Sequence, residues 1–533
     1  MTSASRADVA SRFLKIASRL GAAPALIRGD ETASFADLAR DVERLAAGVR
    51  RCGLRPGERA AVLIPPGRDF FAVTFALFRA GVVPVLIDPG IGFSSMGRCL
   101  EEAAPAAFIG SPKAHLGRLL GRWAPTAHLR VVADGRVPGM LDVRALRDAG
   151  ARASFDVFQA SPDAAAAVLF TSGSTGVPKG VVYTHGVFSA QVDLLRSMFD
   201  VKEGEVSVAT FPLFALFDVA LGMTAVIPDM DFTRPGAADP AEILGVLQKH
   251  RARQLFGSPA LIDRVGRYGE RHGVALPDLQ RVMSAGAPVP AKALARFSKM
   301  LNPGVQIYTP YGATEALPVA LMGSREVLSE TGAMTEAGKG VCVGRPVAGV
   351  QVSVIRITDA AIPDWDDAAP EKRGVVGEIV VKGDVVTREY FRRPQDTAAA
   401  KIRDGARVRH RMGDLGYFDE QGRLWFCGRK AHRVKTAGGE LYTVCVEGVF
   451  NAHPAVRRTA LVGVRGEPVL CVEPEPGTNT IRLEEELSEI ARRHELTRDI
   501  RKFLCHPSFP VDIRHNAKIF REKLAVWAAE RGR

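Results

Sequence analysis

Residues 169–186 read LFTSGSTGVPKGVVYTHG, and this stretch restricts what the chain can fold into. An apolar run enters Thr171, Ser172, Gly173, Ser174, Thr175 and Gly176, which offer hydroxyls and bare backbone, and Lys179 follows. Hydroxyls and free N–H groups at the end of a buried strand make a nest for phosphate oxygens, and a lysine close behind adds positive charge. The spacing departs from the Walker loop. Pro178 stands where GxxxxGK[ST] needs glycine, and Gly180 where it needs Ser or Thr. A flexible linker is the alternative reading, but a linker does not follow a buried strand with this hydroxyl pattern.

Around this loop, strand-like and helix-like segments alternate. ERAAVLIPP (58–66) is a short apolar run ending at prolines, and RDFFAVTFALFRAG (68–81) carries apolar residues at helical spacing and stops at Gly81. VVPVLID (82–88) returns to strand character and turns at Pro89-Gly90. Strand, helix and strand with short joins predict a βαβ unit and a parallel sheet. The pattern recurs at 164–176, 241–259 and 279–297.

After about residue 340, β-branched runs such as VGRPVAGVQVSVIRI and GVVGEIVVKGDVV predict a β-rich subdomain. It closes at RMGDLGYFDEQGRLWFCGRK, where FDEQGRLWF predicts a hairpin turning at Glu420-Gln421-Gly422. Beyond it lies a shorter α+β pattern, with a helix expected over 482–496. The expected fold class is therefore α/β, with a large N-terminal body over residues 1–429 and a small α+β C-terminal unit over 430–533.

Composition excludes several classes. Hydrophobic residues make up 47% and charged residues 24%, so disorder is not the main state. The net charge of +12 suits a partner rich in phosphate or carboxylate. No dense Lys/Arg run with interleaved aromatics points to nucleic acid. Seven widely spaced cysteines without a CxxC pair form neither a disulfide framework nor a zinc site. The N-terminus lacks the apolar core of a secretory signal. The longest apolar stretch, 70–87, is broken by Arg79 and Pro84, short of the roughly 20 residues a membrane span needs. A cytoplasmic protein is expected.

TSGSTGVPKG resembles the phosphate-loop signature of the adenylate-forming superfamily of acyl-CoA synthetases, luciferases and peptide-synthetase adenylation domains. The resemblance continues, in the family's order, at SAGAP (284–288), YGATE (311–315), GDLGYFDEQGRLWFCGR (413–429) and RHNAKIFREKL (514–524). It implies that a carboxylate attacks the α-phosphorus of ATP, with Mg²⁺ present, giving an acyl-adenylate and pyrophosphate. It implies an adenine-flanking loop at Gly286, Ala287 and Pro288. Tyr311 would stack on adenine, Gly312 would let the backbone approach, and Thr314 would bond a phosphate oxygen. Glu315 would be the hard oxygen ligand for Mg²⁺. Asp414 would accept the ribose hydroxyls, with Arg429 beside it. Lys518, on a mobile lid, would bridge substrate carboxylate and α-phosphate as charge builds. Its neighbours Ala517 and Ile519 differ from the family's usual Pro-Lys-Thr.

Three departures bear on the fate of the acyl group. Ala215, in FPLFALFD, stands where many acyl-CoA synthetases have histidine; Ala431 stands at the hinge, usually aspartate or lysine; Thr309 replaces a frequent asparagine. The apolar segment 211–232 is expected either to line an acyl channel or to form a plain core helix. PVLIDPGIG, MGRCLEEAAPAAFIGSPKAHLGR, FPLFALFD, YGATEALPVA and HPSFPVDIRHNAKIFREKLAVWA together resemble the β-lactone synthetases of bacterial head-to-head olefin biosynthesis. That resemblance implies a 2-alkyl-3-hydroxy fatty acid as substrate, whose own hydroxyl closes the ring, and a complex with other enzymes of the pathway. A long-chain fatty-acid–CoA ligase is the alternative within the class, and a non-catalytic nucleotide-binding scaffold the remote one. His185, in YTHG, is a candidate base for the hydroxyl, with a structural role as its alternative.

Overall fold

A computed structural model describes residues 8–153, 155–171, 177–511 and 519–531. Two large sheets carry the N-terminal body. In the first, the strands Arg59–Leu63, Val83–Leu86, Ala107–Gly110, Leu129–Val132, Leu141–Asp142 and Ala165–Phe170 run parallel, and Gly180–Thr184 returns antiparallel against Ala165–Phe170. The helix Arg68–Ala80 crosses over between the first two of these. Every residue of the run Phe70–Phe78 is buried, and Phe75 stacks on Phe13 at 4.7 Å. A helix apolar all round is a core helix, which explains why this stretch is too hydrophobic for a surface position.

The second sheet has fourteen strands. Its parallel centre comprises Thr224–Val226, Val206–Ala209, Gln254–Gly257, Arg281–Ser284 and Gln306–Ala313. Antiparallel Ala316–Gly323 follows and pairs with Val341–Pro346 through Ala320–Pro346 and Leu321–Arg345. That short ladder joins the β-rich stretch after residue 340 to the parallel centre, so the expected β-rich subdomain is an extension of the same sheet. The hairpin expected at Glu420–Gly422 joins Arg407–Phe418 to Leu424–Arg429.

Leu424–Arg429 is the last strand of this sheet. The turn Lys430–His432 then leads into a two-stranded ribbon and a three-stranded sheet, Val456–Val464, Glu467–Pro474 and Lys502–Cys505. The helices Thr443–Asn451 and Thr480–Arg493 pack on it, and Val446, Phe450, Leu461, Leu470, Leu483 and Leu487 form a core of their own. The helix Arg521–Arg531 is tied down by Arg521, whose Nη2 meets both oxygens of buried Glu447 at 2.7 and 2.6 Å. The seven cysteines are free thiols. Among the described residues no helix is long and apolar enough to cross a membrane.

Candidate active site

The chain's phosphate-loop candidates begin and end in a pinch. Thr171 N donates to Lys179 O at 3.0 Å, and Lys179 N donates to Thr171 Oγ1 at 3.1 Å, where the antiparallel pair Ala165–Phe170 and Gly180–Thr184 opens. Ser172, Gly173, Ser174, Thr175 and Gly176 lie outside the described residues. Lys179 Nζ pairs with Asp396 Oδ1 at 2.6 Å and lies 5.2 Å from the centre of the Tyr390 ring.

Thr171 and Lys179 line one end of a cavity of about 640 Å³. Gly286, Tyr311, Gly312, Thr314, Glu315, Asp414's partner Arg429, and Ala431 of the turn also line it. Gly286 sits at φ +98°, a conformation that favours glycine, directly after the strand Arg281–Ser284. Ala287 and Pro288 are not part of the lining. A Cβ on Gly312 would lie 2.7 Å from Ala316 O, so the bulged hairpin that presents Tyr311 and Thr314 requires glycine there.

Tyr311, Asp414 and Arg429 form one cluster. Tyr311 OH donates to Asp414 Oδ2 at 2.6 Å, and Arg429 Nη1 meets Asp414 Oδ1 at 3.1 Å. Asp414 and Arg429 are direct cross-strand partners, so the sheet register sets their pairing. Burial first, and then the Asp414 charge, push the Tyr311 phenol well above its usual value, so it remains a donor.

Glu315 is held from several sides. Its Oε1 accepts from Tyr390 OH at 2.6 Å, and its backbone oxygen accepts from Thr387 N at 2.9 Å and Thr387 Oγ1 at 3.0 Å. Among the described residues Oε2 has no hydrogen-bond partner, and no group of three or more His, Cys, Asp or Glu could hold a metal. A single carboxylate oxygen facing a phosphate site suits Mg²⁺, which binds through one or two carboxylates plus substrate phosphates. Thr314 is fixed through its backbone oxygen, which accepts from Tyr183 OH at 2.6 Å. Tyr390, Asp396 and Lys401 were not legible as site residues, since the run EYFRRPQDTAAAK shows no periodicity or spacing that marks them.

The rest of the cavity is apolar. Phe188, Leu195 and Met198 of one helix face Phe211, Phe214 and Phe217 of another. The segment 211–232 is divided between the cavity wall and the core. Phe211, Leu213, Phe214, Leu216, Phe217, Leu221 and Phe232 line the cavity, whereas Ala215, Val219, Ala220 and Val226 are core. At the far end Asp218 Oδ1 accepts from Gln254 Nε2 at 3.1 Å, and burial pushes the Asp218 carboxyl up to about 7. Gln254 Oε1 in turn accepts from Arg281 Nε at 3.2 Å, and Arg281 pairs with Glu205. His185 is buried outside the lining, against Phe78 and Phe158. Thr309 is also outside it, its Oγ1 reaching Met322 O at 3.4 Å.

Lys518 lies outside the described residues. The chain on either side of it is anchored by an antiparallel bridge between Val511 and Ile519. Glu522, three residues beyond Ile519, lies 3.3 Å from His432, the neighbour of cavity-lining Ala431.

Residues 13–391 match the family of AMP-binding enzymes, more than half of the chain. The chain belongs to that family. It is 51% identical over 515 residues to the olefin beta-lactone synthetase of Xanthomonas campestris pv. campestris, covering 94% of this chain and 92% of that one. It is 51% identical over 523 residues to the olefin beta-lactone synthetase of Stenotrophomonas maltophilia, covering 96% and 94%. The fold is similar to that of the amide bond synthetase of Marinactinospora thermotolerans, with a TM-score of 0.80 and 25% identity over 97% of this chain and 99% of that one. Members of the AMP-binding family are adenylate-forming, and the large body and smaller C-terminal unit follow the architecture of that structure.

Proposed function

We propose that the protein activates a 2-alkyl-3-hydroxy fatty acid with ATP and closes it to a β-lactone, in long-chain olefin biosynthesis. The observation that carries this reading is the 51% identity, over 94% of the chain, to an olefin beta-lactone synthetase. The cavity, polar at Thr171, Lys179 and Glu315 and apolar along its aromatic walls, supports it. The same identity makes a long-chain fatty-acid–CoA ligase the less supported alternative.

In the first step a substrate carboxylate oxygen attacks the α-phosphorus, the bond to the β-phosphate bridging oxygen breaks, and pyrophosphate leaves. Positioning and charge neutralisation dominate such a step. In this reading Asp414 and Arg429 seat the ribose, Tyr311 and the Gly286–Pro288 turn flank the adenine, and Thr171–Gly176, Lys179 and Thr314 hold the phosphates. Glu315 would hold a magnesium ion, which would supply charge neutralisation to the phosphate oxygens. Lys518, carried on the unit that begins at residue 430, adds positive charge between carboxylate and α-phosphate. The short path from Ile519 through Glu522 to His432 supports its approach to the cavity. In the second step the 3-hydroxyl oxygen attacks the acyl carbon as its proton passes to the leaving phosphate or to solvent, the acyl–phosphate C–O bond breaks with its electron pair, and AMP leaves. The nucleophile arrives on the bound substrate, so effective molarities of about 10⁵ M or more are within reach.

The test is AMP release in four reactions, with the acid bearing or lacking the 3-hydroxyl, each with and without coenzyme A. The expected result is turnover that needs the hydroxyl and ignores coenzyme A, with the lactone identified by NMR. Multiple turnovers of the plain acid, only when coenzyme A is present, would restore the ligase.

A further inference from the structure

The helix Pro112–Gly121 turns an apolar face to solvent. His115 anchors its inner side, with Nε2 2.9 Å from Val131 O. On the outer side Leu116, Leu119 and Leu120 are 57%, 63% and 74% exposed. They stand at i, i+3 and i+4 of the helix, one stripe of its surface, and Trp123 lies just past the left-handed cap at Arg122. Phe93, at the start of the neighbouring helix Phe93–Ala103, is 53% exposed and packs on Trp123 at 4.4 Å between ring centres. Trp123 is seated by glycines of both helices. A Cβ on Gly97, Gly117 or Gly121 would lie 2.9, 3.1 or 2.2 Å from its ring. The patch is therefore preformed, and none of the described residues covers it.

Its charge is one-sided. Residues 103–133 contain Lys113, Arg118, Arg122 and Arg130 and no acidic residue. Arg98, Lys113, Arg122 and Arg130 are exposed and make no ion pair among the described residues. The flanking acids in sequence are Glu101, Glu102 and Asp134, and Glu102 is already bound by Arg393 at 2.7 Å. Leucine and aromatic side chains ringed by cations match the boundary between anionic headgroups and acyl chains. The patch also lies near the acyl cavity. Asp88, just before this segment, and Phe232 line that cavity. Asp88 stands five residues before Phe93, joined to it through the short turn Pro89–Ile91.

We infer that Phe93, Leu116, Leu119, Leu120 and Trp123, with their surrounding lysine and arginines, form a docking surface for an anionic lipid bilayer, next to the cavity that receives the acyl chain. This holds whether the adenylate is then closed to a lactone or passed to another acceptor. Contact with the bilayer gives a water-insoluble acid a path into the cavity without crossing bulk water.

The test is co-sedimentation of the full chain with vesicles of phosphatidylcholine, with and without phosphatidylglycerol. Binding is expected to be at least about tenfold tighter to the anionic vesicles and to weaken as salt rises. The double variant Leu119→Ser/Leu120→Ser and the separate double variant Lys113→Glu/Arg122→Glu are each expected to lose about tenfold in binding. Both are expected to keep the wild-type melting temperature and the wild-type rate of pyrophosphate release with a short, water-soluble acid. Vesicle binding unchanged in both variants overturns the inference, as does equal binding to neutral vesicles. A wild-type dimer in sedimentation velocity that Leu119→Ser/Leu120→Ser converts to monomer, without vesicle binding, assigns the patch to a second copy of the chain instead.

Discussion

The Tyr390 hydroxyl donates a 2.6 Å hydrogen bond to Glu315 Oε1 across 75 residues of sequence. Behind them the buried Lys401 ammonium donates to Thr387 O at 2.6 Å, and Thr387 binds the Glu315 backbone. Burial pulls Lys401 down to about 7, against the opposing pull of the Glu315 charge. One carboxylate oxygen is thus committed to the protein and its orientation fixed, leaving the other to act in the cavity.

Replacing Glu315 by Gln keeps the shape but removes the charged oxygen. Adenylation is expected to fall about 100-fold, and the Mg²⁺ concentration for half-maximal rate to rise. Tyr390→Phe removes only the orienting bond and is expected to cost about tenfold, with a smaller shift in Mg²⁺ demand. Mg²⁺ titrations of pyrophosphate release check both. An unchanged titration in Glu315→Gln would place the metal elsewhere.

Asp414 separates nucleotide binding from chemistry. Asp414→Ala removes the acceptor shared by Tyr311 and Arg429 and leaves Arg429 without its carboxylate. KM for ATP is expected to rise about 10- to 100-fold with a smaller change in kcat, because the interaction is present in ground and transition states alike. Steady-state kinetics with varied ATP measure the split, and a pure kcat effect would remove Asp414 from ribose binding.

Lys518→Ala is expected to behave in the opposite way. If its charge meets the α-phosphate only in the transition state, losing it is expected to lower kcat, by about 100-fold or more, with ATP affinity retained. Pyrophosphate release and equilibrium ATP binding measure the two quantities. Wild-type pyrophosphate release in the variant would exclude Lys518 from the mechanism.

Asp218 gives the protein a pH signature. Burial pushes its folded carboxyl up to about 7, well above the ordinary aspartate range. The folded state therefore binds the proton more tightly than the unfolded chain. Between about pH 4 and 7 the unfolded chain has already lost this proton, so the group's contribution to stability falls as pH rises and is lowest above 7. Asp218→Asn is expected to remove that slope and to gain, relative to wild type, on the order of 2–4 kcal/mol between pH 4 and 8. Urea unfolding at several pH values measures it, and parallel curves for the two proteins would refute the assignment.

The features legible in the sequence are those written locally. The strand–helix–strand succession of residues 58–88 and the hairpin around Gly422 each lie within one short window, where periodicity and turn chemistry operate. Partnerships between distant windows were not legible. Nothing adjacent to Tyr390 names Glu315 as its acceptor, and the chain from Asp218 through Gln254 and Arg281 to Glu205 arises only because parallel strands set Gln254 level with Arg281, with Asp218 reaching in from the helix Pro212–Leu221 and Glu205 from the turn before Val206. The same holds for the sheets. Alternating β and α segments announce parallel pairing without saying that two sheets share the work, or that strands after residue 340 extend one of them. The acyl cavity was half legible, since apolar content at 211–232 does not distinguish a side chain facing a void from one facing a core.

The site residues are distributed over separate slabs of the fold. Thr171 and Lys179 hang from the seven-stranded sheet, whereas Tyr311, Asp414 and Arg429 all belong to the fourteen-stranded one. A nucleotide spanning both would act as a removable cross-brace, contributing stiffness between two slabs that each already have their own core. Saturating ATP should then merge whatever separate unfolding transitions the two sheets show into one, and raise the lower of them most. The enzyme would be mechanically softest when empty, and along the line where its substrates must enter.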